Sequence, residues 1–481
     1  MRTQQYIYSL FILLFFTLGC KSDKTGQTVS SDLPELNLKN KEMPPPPPQL
    51  NAGFMPTWLK NSVIYEVNLR QYTPEGTFEA FMDHIPRLVE MDVDVLWFMP
   101  IYPISKAKRK GTLGSYYAVA DYKDVNPEHG TLEDFKKLVK KAHEHHMKVI
   151  IDWVPNHTGW DHPWITEHPE FYTKNDQGEI TDPIDPSTGE SWGWTDVADL
   201  NYDNPDMRKA MLDDMEFWVK SVGIDGFRQD VAHGVPLDFW VEYRVRMARY
   251  KNLFHLAEAE LPELNNKEIF HASYGWSFHH LMNEIAQGKK GASEITNWYK
   301  NERSKFKKGF LMHFTSNHDE NSWSGTEFER MKELVNVMAV LSFTFDGAPL
   351  VYSGQEEPLK KRLEFFEKDV IPFKKFERAD FYRKLILLKH RNKALWHGDR
   401  YAVEPEIIRS DDDVLVFKKV KDNDQAIVVL NFSDKLQEVT FPFKIDKMLE
   451  VMQGRELILE QGAPLRIKPY GYRVFADYKH N

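Results

Sequence analysis

The chain has 481 residues, a formal net charge of −10 and a single cysteine, Cys20. That length exceeds what one hydrophobic core organises well, so more than one domain is expected. The negative balance argues against a nucleic-acid partner, and one cysteine excludes an intramolecular disulfide.

Arg2 precedes an apolar run over residues 6–18, about the length of a signal-peptide core and short for a bilayer span. Thr17-Leu18-Gly19-Cys20 follows at once and resembles the lipobox of bacterial lipoproteins, although Leu is commoner where Thr17 stands. The resemblance implies cleavage before Cys20, lipidation of that residue and membrane attachment through it. An exported protein of the bacterial cell envelope is expected, periplasmic or associated with the outer membrane. Residues 1–20 then form the leader, and 21–55 a polar tether stiffened by the prolines at 44–48. No later segment reads as transmembrane.

From Trp58 onward strand-like and helix-like stretches alternate. Strands are predicted at 63–67, 93–98, 149–152, 226–231, 254–258, 269–273, 311–316 and 350–353. Helices are predicted at 78–91 and at 132–146, where Leu132, Phe135, Leu138 and Val139 share one face. This alternation predicts an α/β fold, a closed parallel TIM (β/α)8 barrel over residues 56–397. Residues 158–203, rich in Pro, Gly, Asp and Trp, are too long for a plain connection and read as an excursion domain inserted after strand 3. The pattern changes near Gly398. Stretches at 414–417, 426–430 and 437–443, separated by turn residues, predict a C-terminal antiparallel β-sandwich over 398–481.

Four runs carry charge at predicted strand ends. They are Asp152-Trp153-Val154-Pro155-Asn156-His157, Gly226-Phe227-Arg228-Gln229-Asp230, His255-Leu256-Ala257-Glu258 and Phe314-Thr315-Ser316-Asn317-His318-Asp319. In a parallel barrel such residues point into one mouth. Two carboxylates facing one substrate suffice to cut a glycosidic bond, one as nucleophile and one as acid. Asp230, Glu258 and Asp319 are therefore the candidates. Arg228, two residues before Asp230, points the same way along a strand, where a guanidinium orients a carboxylate and lowers its pKa. Taken alone, that pair reads as a structural ion pair.

In order and separation the four runs resemble the signature regions of the α-amylase family, glycoside hydrolase family thirteen. The stretch Tyr117-Ala118-Val119-Ala120-Asp121-Tyr122 resembles the family's loop after the second strand, and residues 347–356 its eighth strand and exit. The resemblance implies Asp230 as an ionised nucleophile and Glu258 as a general acid/base with a raised pKa. It implies Asp319 as a third carboxylate that grips sugar hydroxyls, His157 and His318 as donors to the same sugar, and Tyr117 stacked beneath it. Nucleophile and acid should then stand roughly 5–5.5 Å apart and retain the anomeric configuration. Glu260, the rival acid, reads as a loop carboxylate contacting substrate or nothing, and Asp152 as support for Arg228 or the barrel mouth. No cofactor is required for this chemistry. A structural calcium is implied in many relatives, with Asn156 and Asp199 as candidate ligands, but two ligands are too few for calcium. Where many relatives carry Lys-His after the nucleophile this chain has His233-Gly234, which points to neopullulanase-like and maltodextrin-processing branches and away from calcium. Trp160, Trp164, Trp192 and Trp194 of the excursion serve either as stacking surface or as core.

The implied activity is hydrolysis of α-glucosidic bonds in maltooligosaccharides or starch-derived α-glucans through a covalent glycosyl-enzyme. A transglycosylase or isomerase of the same family, for example a trehalose-forming one, would share these residues. A non-catalytic glucan-binding protein would lack the three carboxylates.

Overall fold

The computed structural model describes residues 55–185, 188–250 and 252–477. The leader, Cys20 and all but the last residue of the tether lie outside the described residues. Eight parallel strands close into a barrel: β1 (Ile64–Val67), β2 (Val95–Phe98), β3 (Lys148–Trp153), β4 (Gly226–Gln229), β5 (Phe254–Ala257), β6 (Ala272–Tyr274), β7 (Phe310–His313) and β8 (Ala348–Tyr352). Each pairs with its neighbours in sequence, and β8 returns to β1. All eight are buried along nearly their whole length, which is why they read as apolar runs rather than alternating ones. β4 begins on Gly226 at φ +153°, where a Cβ would lie 2.0 Å from the Phe254 carbonyl. Only glycine allows β4 and β5 to approach so closely there.

Besides shifts at strand ends, two predicted elements differ from those observed. The helix expected over 78–91 is two helices, Phe78–Met82 and Ile85–Glu90. Pro86 has no N–H and belongs in a first turn, so the helix restarts at Ile85. The sixth strand starts later than expected, because the amides of Ile269 and Phe270 donate to the Leu264 carbonyl instead of to β5. By contrast, the helix Leu132–Glu144 matches its pattern. Thr131 and Asp134 form a capping box, and Phe135, Leu138, Val139 and Ala142 are buried.

Beyond β3 the excursion is held by two short antiparallel strands, His157–Gly159 and Val197–Asp199. The C-terminal domain has a six-stranded antiparallel sheet and a two-stranded ribbon, Gln437–Val439 with Leu465–Ile467. Val414, Val416, Ile427 and Val429 of the sheet pack with Val439 and Ile467 of the ribbon. The opposite sheet face packs against the barrel's helical layer, with Phe417 edge-on to Phe345 at 5.2 Å. Among the described residues no helix is long and apolar enough to cross a membrane.

Candidate active site

The four charged runs converge at the carboxyl ends of the strands. Asp230 and Glu258 each sit one residue past a strand, yet the sheet ladder still holds them. The Asp230 amide donates to the Trp153 carbonyl at 2.8 Å, and the Glu258 amide to the Gln229 carbonyl at 2.9 Å. Their side chains therefore project from rigid backbone rather than from loop.

Arg228 organises the site. Its guanidinium is fully buried and boxed by the rings of Trp97, Tyr274 and Tyr117 at 5.2, 5.5 and 5.8 Å. Nη1 donates to Asp152 Oδ1 at 2.7 Å and to Asp230 Oδ1 at 2.8 Å. Nη2 is ion-paired with Glu258 Oε1 at 2.8 Å, and Nε donates to the Tyr274 hydroxyl at 3.1 Å. One cation thus holds three carboxylates side by side. Glu258 Oε2 also accepts the Val231 amide at 2.8 Å. Val231 has φ +44° and ψ +44°, a left-handed conformation that a β-branched residue adopts only under constraint. The turn after Asp230 is strained in a way that aims this amide at Glu258.

A second cation serves the other side of the mouth. His318 Nδ1 lies 2.5 Å from Glu66 Oε1, and its Nε2 lies 2.7 Å from the Tyr117 hydroxyl and 3.3 Å from Asp319 Oδ2. Burial opposes its protonation, but Asp319 and Glu66 overcome that and hold the imidazole up at about 9. The Tyr117 hydroxyl also donates to Asp152 Oδ2 at 3.1 Å, which joins the two clusters. Exposure rises across the three candidate acids, from 8% for the Asp230 side chain to 13% for Glu258 and 36% for Asp319. Asp319 is the one a ligand meets first.

The electrostatics differ from the expectation of an ionised Asp230. Burial and then the charge of Glu258 push Asp230 well above the usual carboxylate range, with Arg228 pulling against them. Burial likewise lifts Asp152 to about 7 against Arg228 and His318. Arg228 is shared too widely to keep every neighbour ionised, so the cluster retains a proton. Asp230 bears this lift as the most enclosed of the three candidate acids.

The remaining predicted residues fall in several places. His157, on the short strand opposite Asp199, is buried and kept neutral, its pKa lowered by desolvation to about 3. Its ring meets Trp194 edge-on at 5.7 Å, and Trp194 meets Trp192 at 4.8 Å. Trp164 packs against His162, Phe171 and Tyr122 as core of the excursion. Trp160 donates to the Thr195 carbonyl and carries the Lys108 ammonium 3.1 Å from its ring centroid. Glu260 does not stand unpartnered. It caps the helix Trp276–Ala286 by accepting the Ser277 amide and hydroxyl at 2.6 and 2.5 Å.

Asn156 and Asp199, the candidate calcium ligands, lie on adjoining segments, where the Leu200 amide donates to the Asn156 carbonyl at 3.2 Å. Among the described residues no group of three or more His, Cys, Asp or Glu side chains is placed to hold a metal ion. Burial pushes Asp199 up to about 7, with a hydrogen bond from Thr173 pulling against it. A Cβ on Gly234 would lie 2.6 Å from Asn156 Oδ1, so the turn after Asp230 packs directly onto that side chain.

Sequence reasoning misses Glu66 and Tyr274. Glu66 is the one charged residue in an otherwise apolar first strand, and that is the signal it offers. Tyr274 lies just past the predicted end of the sixth strand, on the element whose observed start and end are both later.

Comparison with known proteins places this geometry. A family model for the α-amylase catalytic domain matches residues 37–384, and one for the maltogenic amylase C-terminal domain matches residues 406–474. An α-amylase from Haloarcula japonica is 26% identical over 416 residues, covering 81% of this chain and 58% of that protein. The chain thus spans little more than half the length of that relative. A maltogenic α-amylase from Bacillus acidopullulyticus is 24% identical, covering 87% of this chain and 78% of its own length. Among solved structures, a maltogenic α-amylase from Thermotoga neapolitana superposes with a TM-score of 0.77 at 28% identity, covering 88% of this chain and 100% of that one. With its closed barrel, its carboxylates gathered on one arginine and a family model spanning most of its length, this chain belongs to the α-amylase family.

Proposed function

We propose that the protein is a retaining glycoside hydrolase that cleaves α-glucosidic bonds in maltooligosaccharides or starch-derived α-glucans. The observation that carries this reading is Arg228 bound to both Asp230 and Glu258, which keeps the two carboxylates on one side of one cation. An Asp230 oxygen attacks the anomeric carbon as the bond to the leaving sugar breaks. Glu258 passes its proton to the departing oxygen, then takes one from the water that releases the glycosyl group. The proton that the resting cluster retains must stand on Glu258 for this step. A bound substrate favours that placement, because its glycosidic oxygen offers a hydrogen-bond acceptor to Glu258 while its anomeric carbon faces Asp230. Asp319 and His318 would hold hydroxyls of the reacting sugar, with Tyr117 beneath it. His157 is a neutral donor to the same ring.

The maltogenic C-terminal match and His233-Gly234 support a maltodextrin-processing enzyme. A second reading, isomerisation of maltose to trehalose, is favoured by a trehalose synthase from Pimelobacter that is 34% identical over 211 residues, 37% of this chain. Proton NMR of a fresh digest of maltoheptaose and maltose decides. α-Configured reducing ends appearing first support hydrolysis with retention. β-Configured ends refute it, and trehalose without new reducing ends establishes isomerisation.

The lipid anchor and envelope location belong to this proposal. They rest on the apolar run and Thr17-Leu18-Gly19-Cys20. Palmitate labelling that disappears in Cys20→Ser supports them, and an unlabelled wild-type protein sinks them.

A further inference from the structure

Glu66 is the one charged residue on β1, and it is fully buried. Burying a carboxylate is costly unless a partner takes up its charge. Its backbone is fixed, because its carbonyl accepts the Ser353 amide at 3.0 Å and the Ser353 hydroxyl at 2.6 Å. In register it stands between Trp97 of β2 and Tyr352 of β8. Its side chain serves one residue. Oε1 accepts from His318 Nδ1 at 2.5 Å and from the His318 amide at 3.4 Å, while Oε2 has no hydrogen-bond partner among the described residues.

The hydrogen bonds around His318 fix where its hydrogens lie. A carboxylate only accepts, so Nδ1, facing Glu66, carries one. The Tyr117 hydroxyl donates its single hydrogen to Asp152 Oδ2, so it can only accept from His318. Nε2, 2.7 Å from that hydroxyl, therefore carries a hydrogen as well. A ring that donates from both nitrogens is an imidazolium. Glu66 sits at the buried end of this chain, and Nε2 at the end that faces the mouth beside Asp319.

The charges facing the ring come from four elements: Glu66 on β1, Asp152 on β3, Arg228 on β4, and Asp319 beyond β7. Trp97 of β2 adds only an uncharged ring edge at 6.0 Å. The hydroxyls of Tyr117 and Tyr352 stay protonated, driven well above their ordinary range by burial. Of the three carboxylates, Asp152 is held by Arg228, and Asp319 is 36% exposed and screened by water. Glu66 alone is both buried and committed to His318.

From this arrangement we infer that Glu66 is a positioning residue of the active site, which locks His318 as a doubly protonated ring presenting Nε2–H to a hydroxyl of the reacting sugar. The carboxylate fixes the ring's orientation as well as its charge, since Nδ1 is anchored to a rigid strand. The inference rests on the proposed hydrolase reading and adds the residue that keeps one of its sugar donors charged.

The test compares wild type with Glu66→Gln, which keeps an acceptor for Nδ1 and removes the charge. Two measurements are made between pH 6 and 8.5. The first is kcat/KM on maltoheptaose per folded molecule. The deficit of the variant should widen by about tenfold or more from pH 6 to pH 8.5, as its imidazole loses the proton that wild type retains. The second is an NMR titration of the His318 ring, assigned by its disappearance in His318→Asn. Its midpoint should fall by more than about one pH unit in Glu66→Gln. A variant whose deficit is the same at every pH, or whose His318 midpoint matches wild type, overturns the positioning role and leaves the hydrolase reading intact. A wild type that does not cleave maltoheptaose or any other α-glucan overturns the hydrolase reading, and the role of Glu66 in the reaction falls with it.

Discussion

Asp230 and Asp346 are the same residue type, both buried in one barrel, and their environments drive them in opposite directions. Asp346 lies at the floor, just before β8, paired with Arg303 Nε at 2.5 Å and facing His313 at 3.8 Å. Burial pushes its carboxyl up, but Arg303 and His313 pull harder and hold it well below the usual range. At the rim, Asp230 shares Arg228 with Asp152 and Glu258, and burial wins. A buried acid with its own cation is a fixed ion. A buried acid that shares one is poised to exchange a proton, which is what acid–base chemistry needs.

Breaking each acid in turn tests the contrast. Asp230→Asn should lower kcat by about 10⁴-fold or more while leaving the unfolding midpoint nearly unchanged, since an amide of the same size replaces a carboxyl that burial already drives towards its neutral form. Asp346→Asn should do the reverse. Leaving Arg303 buried without its partner should cost about 3–5 kcal/mol of stability, read by urea unfolding, with kcat per folded molecule preserved. If both variants lose activity and stability together, the division between rim and floor is wrong.

A smaller effect sharpens the comparison on the other side of the mouth. His318 is raised from its ordinary 6.5 to about 9, so the stability it contributes is fully present below pH 6.5 and is lost as pH rises through about 9. The stability difference between wild type and His318→Asn should therefore shrink by on the order of 2 kcal/mol over that window. His390, held near 9 by Asp92 and Asp94 far from the site, titrates in both proteins and cancels in the difference. A difference that grows with pH would contradict the assignment of Glu66 and Asp319 as its counter-ions.

Much of the rim is legible in the amino-acid sequence. A carboxylate at the end of an apolar strand is a local signal, and Asp230, Glu258 and Asp319 each carry it. Arg228 is legible as the partner of Asp230, two residues away on one strand face. Its reach to Glu258 is not, because that contact spans neighbouring strands. Glu66 is hidden for the same reason, since its partner His318 lies 252 residues further along the chain. The floor is invisible altogether. Asp346, Arg303 and His313 sit in ordinary stretches, and only barrel closure brings them together. Periodicity likewise misses the break at Pro86 and the late start of β6, where local hydrogen bonding overrides the apolar pattern.

The central claim is that Asp230, released by Arg228 and Glu258, becomes bonded to the sugar. Incubation with a fluorinated α-glucosyl fluoride that slows release, followed by peptide mass spectrometry, reads this directly. The account predicts a single glycosyl adduct on the peptide containing Asp230, absent from Asp230→Asn. An adduct on Glu258 or Asp319, or turnover of the reagent with no adduct and an inverted product, would contradict it.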